Sequence, residues 1–245
     1  MIRFIIVIVF LVAFLVLTIP LFFIEWVIGK FNREKRDYSS LRIVQWGFKA
    51  ILKVTGVETI VIGEENVPDE PVLYIGNHRS FFDILLTYSR CPRLTGYIAK
   101  KEMAKFPLLS TWMRYLYCLF LDRENIKEGL KTILQAIEYI KQGISICIFP
   151  EGTRNKGEEL SMLPFKDGAF KISTKTGCPI VPISMNNTAE IFENHFPKIK
   201  PTRVVIEYGK PIYPDQLDKE TKKHIGAYVQ DIIQTTINKN AELIK

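Results

Sequence analysis

His78 is the side chain in this sequence best suited to acid–base chemistry. Of the three histidines, at positions 78, 195 and 224, only the first follows an apolar run typical of a buried strand. Asp83 lies five positions further on, in a segment that leaves this strand and enters a helix. One helical turn would bring its carboxylate back to the imidazole, where it would fix one tautomer and stabilise the imidazolium. The pair predicts a general base for an alcohol.

The same segment also fits a purely structural interpretation. Ser80 and Asp83 have the spacing of a capping box, in which an acidic residue in the first helical turn faces the free backbone N–H groups at the helix start. Such boxes are common helix starts, so spacing alone leaves both interpretations open.

A second polar cluster favours chemistry over a simple helix cap. Glu151 to Arg154 directly follow an apolar run that ends in Phe149 and Pro150. The simplest interpretation of this cluster is a surface turn, and the functional one is that Arg154 binds a phosphate group. In open α/β sheets, ligands bind beyond the carboxyl ends of the strands. Both polar clusters begin where a predicted strand ends, so we expect both at the functional site.

Hydrophobic periodicity predicts the elements that position these clusters. After Gly56, short β-rich runs alternate with helical stretches, which indicates an α/β domain with a largely parallel central sheet flanked by helices. Helices are expected from Phe81, between the cap residue Asn125 and Gly143, and near residues 222–238. The predicted strands are Val57 to Ile62, Val72 to Ile75, Gly96 to Ala99, Leu119 to Leu121, Ile144 to Phe149, Ile180 to Ser184 and Val204 to Tyr208.

The amino terminus predicts membrane attachment. The residues from Phe4 to Ile24 are 21 consecutive uncharged side chains, and only Ala13, Thr18 and Pro20 are not Ile, Leu, Val or Phe. Such a stretch is long enough to cross a bilayer, and its apolar side chains favour insertion by roughly 5 to 11 kcal/mol. A cleaved signal peptide is the alternative, but the stretch is too long and no small-residue cleavage site follows it. Whether it spans the bilayer or lies in one leaflet stays open.

The residues after this stretch predict its orientation and the domain boundary. Between residues 30 and 37 there are four basic and two acidic side chains, a bias that places the following chain on the cytoplasmic side. Pro20 is a candidate kink. A helix with an apolar stripe from Leu41 to Leu52 either lies along the lipid headgroups or packs on the core. We therefore expect a membrane-embedded helical anchor in residues 1–56 and a catalytic domain in residues 57–245.

Composition limits the remaining functional classes. A chain of 245 residues suffices for one catalytic domain, and its net charge of +7 favours anionic partners without choosing among phospholipids, nucleotides and nucleic acid. The four cysteines are widely spaced and include no CxxC pair, so neither a zinc site nor a disulfide scaffold is indicated. The sequence also lacks Walker, dinucleotide and HExxH patterns, so it does not imply ATP, NAD or zinc.

Four sequence blocks resemble the glycerolipid acyltransferases typified by bacterial lysophosphatidic acid acyltransferase. They lie within about residues 70 to 185, in the family's order and at family-like spacing, behind a hydrophobic amino terminus. At one position the sequence departs from the pattern, because Tyr117 stands where the second block often carries a glycine. The blocks are Asn77-His78-x4-Asp83 for the NHxxxxD motif, Phe120 to Arg123 for the arginine-ended second block, Phe149 to Arg154 for the FPEGTR block, and Val181 to Ile183 for the fourth.

The resemblance implies transfer of an acyl group from acyl-CoA or acyl carrier protein to the sn-2 hydroxyl of 1-acyl-glycerol-3-phosphate, giving phosphatidic acid in phospholipid biosynthesis. It implies that His78 is the general base and Asp83 its orienting partner. The activated thioester donor needs no metal or redox cofactor, and no nucleic-acid partner is expected. The implied partners are the phospholipid bilayer, lysophosphatidic acid and the acyl donor. The expected substrate-binding residues are Asn77, Arg79, Lys100, Lys101, Arg123, Glu151, Gly152, Thr153 and Arg154.

Several alternatives stay open beside this hypothesis. One alternative is an acyltransferase whose acceptor is glycerol 3-phosphate or another lysolipid. A membrane esterase would need a GxSxG elbow, and the nearest segment, Gly143 to Cys147, lacks the final glycine. A covalent mechanism would need a nucleophile such as Ser80, which is better explained as a helix cap. A lipid-binding or nucleic-acid-binding module would suit the basic excess, but the sequence has no nucleic-acid-binding signature.

Overall fold

A seven-stranded sheet forms the centre of the computed structural model, which describes residues 1–244. All seven strands predicted from hydrophobic periodicity are present, with ends that differ from the prediction by at most two residues. The strands are β1 (Glu58–Ile62), β2 (Leu73–Gly76), β3 (Thr95–Lys100), β4 (Leu119–Leu121), β5 (Ser145–Ile148), β6 (Ile180–Asn186) and β7 (Arg203–Tyr208).

The strand order brings the two polar clusters together. The order is β1-β7-β6-β2-β5-β3-β4, and within residues 1–244 only the β6–β7 pair is antiparallel. The prediction of a largely parallel sheet is therefore confirmed. β2 and β5 are parallel neighbours, with Tyr74 opposite Cys147, so their carboxyl ends meet at one edge of the sheet. The polar clusters that follow these two strands must then lie side by side.

Helices cover both faces of the sheet. Along β2, Tyr74 belongs to one apolar cluster, whereas Leu73 and Ile75 belong to the other, as strand alternation requires. The first cluster is covered by the N-terminal helices and the second by later ones. The helices are α1 (Ile2–Leu17), α2 (Ile19–Phe31), α3 (Arg33–Thr55), α4 (Phe82–Tyr88), α5 (Pro107–Tyr115), α6 (Ile126–Lys141), α7 (Lys171–Thr176), α8 (Lys219–Lys223) and α9 (Ile225–Asn240).

Local signals correctly located the start of α6 but not every short helix. The side-chain oxygen of Asn125 accepts hydrogen bonds from the backbone N–H groups of Lys127 and Glu128, which is the predicted cap. The last predicted helix corresponds to α9, with the short α8 before it. α5 and α7 were not predicted, because nine and six residues are too few to establish a helical period.

The apolar amino terminus forms two helices rather than one. α1 and α2 are separated at Thr18 and bent by 45°, and Pro20 lies in the first turn of α2, where its missing N–H leaves no hydrogen bond unmade. Thr18 is also tied to α5, since the indole Nε1 of Trp112 donates to its hydroxyl at 3.1 Å. In the described part of the chain no single helix is both long and apolar enough to cross a membrane, whereas the bent pair together meets both criteria.

α3 packs on the core rather than standing apart from it. Its residues Leu41, Val44 and Ile51 are buried, and the side-chain amide of Gln45 donates to the carbonyl oxygen of Tyr88 at the end of α4. Of the two interpretations of this apolar stripe, the structure selects core packing. Because α3 also contacts α1, the N-terminal helices and the sheet share one apolar interior.

Tyr117 shows why glycine suits the start of β4. Its backbone is in the left-handed region, with φ of 59°, which costs a residue with a side chain roughly 1 to 2 kcal/mol. The side chain offsets this strain through its own contacts. Its hydroxyl donates to the buried carboxylate of Asp37 in α3, and its ring packs edge-on against Tyr139 at a centroid distance of 5.2 Å. Tyr117, which stands where the family often carries glycine, thus connects α3 to α6 beside β4.

Candidate active site

His78 and Asp83 meet at the corner between β2 and α4. The imidazole Nδ1 lies 2.8 Å from Oδ2 of Asp83, whose side chain is fully buried in the first turn of α4. When the carboxylate accepts a hydrogen bond from Nδ1–H, the free lone pair of the neutral imidazole resides on Nε2. The imidazole retains partial exposure and faces a cavity. This geometry suits a general base held in one tautomer by a buried carboxylate.

The carboxylate of Asp83 also fixes the backbone that leads into α4. The same oxygen that bonds His78 accepts hydrogen bonds from the backbone N–H groups of Arg79 at 2.7 Å and Ser80 at 2.8 Å. The hydroxyl of Ser80 in turn accepts from the backbone N–H of Phe82. The capping and catalytic interpretations of this segment are therefore compatible, and three hydrogen bonds fix the carboxylate at the imidazole.

Glu151 fixes the backbone of His78 from the neighbouring strand. One carboxylate oxygen accepts from the backbone N–H of His78 at 2.6 Å, and the other accepts from the backbone N–H of Leu163 at 2.8 Å. Burial raises the pKa of this carboxyl, and the two backbone N–H groups partly oppose that shift. Phe149, two residues earlier, stacks on the imidazole with a centroid distance of 4.4 Å. Both carboxylate oxygens of Glu151 are thus occupied by backbone N–H groups, and substrate binding by this residue stays a prediction.

Asn77 and Arg79, two of the expected substrate-binding residues, are buried and are not among the residues that line the cavity. The side-chain amide of Asn77 exchanges two hydrogen bonds of 2.8 Å with the backbone of Met185 in β6. The guanidinium of Arg79 donates to the carbonyl oxygens of Gly157 and Glu158. In extended backbone, successive side chains point in opposite directions. Because His78 faces the cavity, its neighbours Asn77 and Arg79 face the protein interior. Both residues organise neighbouring backbone.

A cavity of about 550 Å³ opens beside His78. Its cationic and polar lining includes Lys100, Arg123, Thr153 and Arg154, so these four expected binding residues share a cavity with the imidazole. The rest of the lining is mostly apolar and comes largely from α1, α3 and α5. It includes Phe10, Phe14, Phe48, Ile51, Leu109 and Trp112.

Two further expected binding residues lie outside the cavity lining. The ammonium group of Lys101 forms an ion pair with Asp122 at 2.8 Å, which turns it away from the cavity. Gly152 has φ of +74°, and a Cβ atom placed there would lie 2.8 Å from the ammonium nitrogen of Lys166. Glycine is needed here for the turn. Thr153 and Arg154, which follow this turn, line the cavity.

Sequence reasoning missed two contributors to this site. Glu193, in the loop between β6 and β7, accepts a hydrogen bond of 3.0 Å from Arg154. The two residues are 39 positions apart, and no motif connects them. The second contributor is α1, which the sequence indicated only as a lipid-facing segment. Phe10 and Phe14 of this helix line the cavity.

Comparison with known proteins identifies a family that this chain matches. A family model described as Acyltransferase matches residues 58–186, more than half of the chain. The 1-acyl-sn-glycerol-3-phosphate acyltransferase of Haemophilus influenzae is 30% identical over 210 residues, which cover 82% of this chain and 83% of that protein. The enzyme of the same name from Saccharomyces cerevisiae is 33% identical over 178 residues, which cover 72% of this chain but only 58% of the yeast protein.

A solved structure has the same architecture. The crystal structure of the 1-acyl-sn-glycerophosphate (LPA) acyltransferase PlsC from Thermotoga maritima superposes with a TM-score of 0.83 at 24% identity, over 97% of this chain and 94% of that chain. This likeness concerns the fold, including the N-terminal helices. The family match and the Haemophilus relative go further, and the chain belongs to the Acyltransferase family. The predicted resemblance is confirmed.

Replacing Glu151 by glutamine should destabilise the protein. The glutamine amide group can no longer accept both backbone hydrogen bonds, so one buried N–H loses its partner, at a cost of about 1 to 3 kcal/mol in the free energy of unfolding. Urea unfolding followed by circular dichroism measures this change. Glu158→Gln is the matched control, because that side chain is exposed. Equal stabilities of the two variants would contradict the assigned role of Glu151.

Proposed function

We propose that this protein transfers an acyl group from acyl-CoA or acyl carrier protein to the sn-2 hydroxyl of 1-acyl-glycerol-3-phosphate and so makes phosphatidic acid for phospholipid synthesis. The observation that carries this proposal is the His78–Asp83 pair, which faces a cavity lined by cations near the imidazole and by apolar side chains elsewhere. The names of the family relatives support the choice of acceptor.

The reaction follows from the geometry of the imidazole. Nε2 of His78 takes the proton of the sn-2 hydroxyl as that oxygen attacks the thioester carbonyl carbon. The new C–O bond forms, the C–S bond breaks, and the imidazolium returns its proton to the departing thiolate. Asp83 stabilises the imidazolium through the Nδ1–H bond. General-base catalysis of this kind contributes about 10²- to 10⁴-fold in rate.

The cationic lining suits the phosphate of the acceptor. Arg123 and Arg154 offer guanidinium groups that bind phosphate oxygens through paired hydrogen bonds, and Lys100 adds a point charge. Thr153 supplies a further hydroxyl. Burial of Arg123 beside this cavity lowers the pKa of its guanidinium, and the negative charge of Glu102 opposes that shift. These groups would hold the glycerol phosphate while its free hydroxyl meets His78.

The apolar lining suits an acyl chain. Each methylene group transferred from water to such surroundings contributes about 0.8 kcal/mol, so a long chain gains substantial binding free energy. The helices that supply this lining include α1, which ties the cavity to the apolar amino terminus.

We further propose that residues 1–56 attach the protein to the cytoplasmic face of the cell membrane, with residues 57–245 forming the catalytic α/β domain. Large apolar side chains remain exposed along α1 and α2, among them Ile2, Val9, Leu17 and Phe23. Basic residues follow directly, between residues 30 and 36. An exposed apolar surface next to basic side chains suits insertion among anionic phospholipids.

Substitution of His78 by alanine should abolish acylation of lysophosphatidic acid, whereas Ser80→Ala should retain substantial activity. The first change removes the base, and the second removes a helix cap and a bond to Glu193 but no reacting group. Product formation from labelled lysophosphatidic acid with acyl-CoA and acyl carrier protein donors measures both effects. A stable acyl-Ser80 adduct that turns over to product would overturn direct transfer.

The same assay separates the alternative functions. Faster acylation of glycerol 3-phosphate or of another lysolipid would change the acceptor but keep the enzyme class. Thioester hydrolysis at an equal rate without acceptor would indicate an esterase. A protein whose lipid-dependent functions all survive His78→Ala would be a binding module.

Gly47→Val should shift the donor preference toward shorter acyl chains. A Cβ atom at Gly47 would lie 3.0 Å from the ring of Phe14, so the larger side chain pushes that ring into the cavity. We expect kcat/KM for a long-chain donor to fall about tenfold relative to a short-chain donor, the effect of losing one or two methylene contacts. Lys49→Val, on the exposed side of α3, is the control. Equal losses with both donors would contradict the assignment of this cavity.

Val9→Asp combined with Val12→Asp should release the protein from membranes. Both side chains are exposed on α1, and charge in an inserted helix costs about 2.5 to 3.5 kcal/mol per residue near the bilayer centre. Sedimentation with vesicles of phosphatidylcholine and phosphatidylglycerol measures the bound fraction. Ile126→Asp, at a more exposed apolar residue on α6, should bind like the unmodified protein. If all three proteins bound alike, α1 would not be the attachment site.

A further inference from the structure

The carboxylate of Glu193 joins three groups at the acceptor end of the cavity. One oxygen accepts hydrogen bonds from Nη1 of Arg154 at 3.0 Å and from the backbone N–H of Phe81 at 2.8 Å. The other accepts from the hydroxyl of Ser80 at 2.6 Å. A single side chain therefore connects Arg154 to the start of α4, the helix whose first turn holds Asp83.

Arg154 is consequently held on two sides. Its guanidinium carbon lies 3.7 Å from the ring centroid of Phe81, and the bond to Glu193 fixes its rotation above that ring. Only Nη1 is used by Glu193, so the other guanidinium nitrogens keep their N–H groups for a ligand. A long arginine side chain without these contacts would lose much conformational freedom on binding a phosphate.

Glu193 lies behind this arginine rather than in the cavity. Arg154, Phe81 and His78 line the cavity, whereas Glu193 is not among its lining residues and bonds Arg154 and the backbone of Phe81. Its loop is well anchored. Ile191 is fully buried, and the ring of Phe192 stacks on Phe4 of α1 with a centroid distance of 5.4 Å. The loop therefore presents Glu193 at a fixed position.

We propose that Glu193 is a positioning residue for acceptor recognition, which aligns Arg154 so that its free N–H groups meet the phosphate of the lysolipid. The inference rests on the proposed function, because it takes the phosphate of lysophosphatidic acid as the ligand of Arg154. The carboxylate of Glu193 accepts hydrogen bonds from one charged donor, Arg154, and from two uncharged donors, the hydroxyl of Ser80 and the backbone N–H of Phe81. Lys100 and Arg123 also line the cavity, and Lys100 forms an ion pair of 3.4 Å with Glu102.

Steady-state kinetics of full-length variants test this role. Glu193→Ala should raise KM for lysophosphatidic acid about tenfold and change kcat by less than about twofold, because Arg154 loses its alignment while the His78–Asp83 pair is retained. Glu193→Gln should keep KM within about threefold, since the amide oxygen still accepts from Arg154 and Phe81. Glu158→Ala, an exposed carboxylate near the site, is the control and should match the unmodified enzyme.

A double-mutant cycle separates positioning from general support of the fold. In an Arg154→Ala background, Glu193→Ala should add less than about a twofold change in KM, because the residue that it positions is gone. The same tenfold increase in both backgrounds would overturn the proposal. So would a fall in kcat with KM unchanged, which would show that Glu193 supports α4 instead.

Direct binding distinguishes failure of this inference from failure of the proposed function. Equilibrium binding of lysophosphatidic acid and of uncharged monoacylglycerol is measured on the detergent-solubilised full chain. Glu193→Ala should weaken only the first, by about the same factor as KM. If the unmodified protein binds lysophosphatidic acid but transfers no acyl group to it, the proposed function fails while the role of Glu193 is still tested. Unchanged binding of the phosphate-bearing lipid by Glu193→Ala would overturn the inference.

Discussion

The parallel pairing of β2 with β5 is the constraint on which the site depends. It places the segment that follows β2, with His78, beside the segment that follows β5, with Glu151. The buried carboxylate of Glu151 therefore accepts from the backbone N–H of His78 and fixes it in place. The backbone N–H of Asn155 completes this contact by donating to the carbonyl oxygen of His78 at 2.7 Å. A slip of one residue in this register would turn the alternating side chains to opposite faces and separate these groups.

Several residues at this edge serve structure and chemistry together. The single oxygen of Asp83 that bonds the imidazole also accepts from the backbone N–H groups of Arg79 and Ser80, which fixes the turn into α4. Glu193 similarly accepts hydrogen bonds both from the backbone N–H of Phe81 and from Arg154. Such shared groups keep the base and the cation in fixed relation, because moving either one would leave buried polar groups without partners.

The N-terminal helices are part of the same apolar interior as the catalytic sheet. α1 supplies lining to the cavity beside His78, contacts α3, and stacks Phe4 on the loop that carries Glu193. The helix α1, which carries exposed apolar side chains, thus contributes to the apolar lining of the cavity and also packs on the loop that holds Glu193.

The sequence by itself determined the features that depend on local periodicity and spacing. All seven strands, the cap at Asn125 and the short distance from His78 to Asp83 follow from residues close together in the chain, where backbone geometry limits the outcomes. Tertiary structure alone decided which side chains near the motifs face the cavity. Asn77, Arg79 and Glu151 turn inward because their partners, on β6 and on loops after β5, are supplied by strand order. The contact of Glu193 with Arg154 arises in the same way, since it joins segments that only the folded sheet brings together.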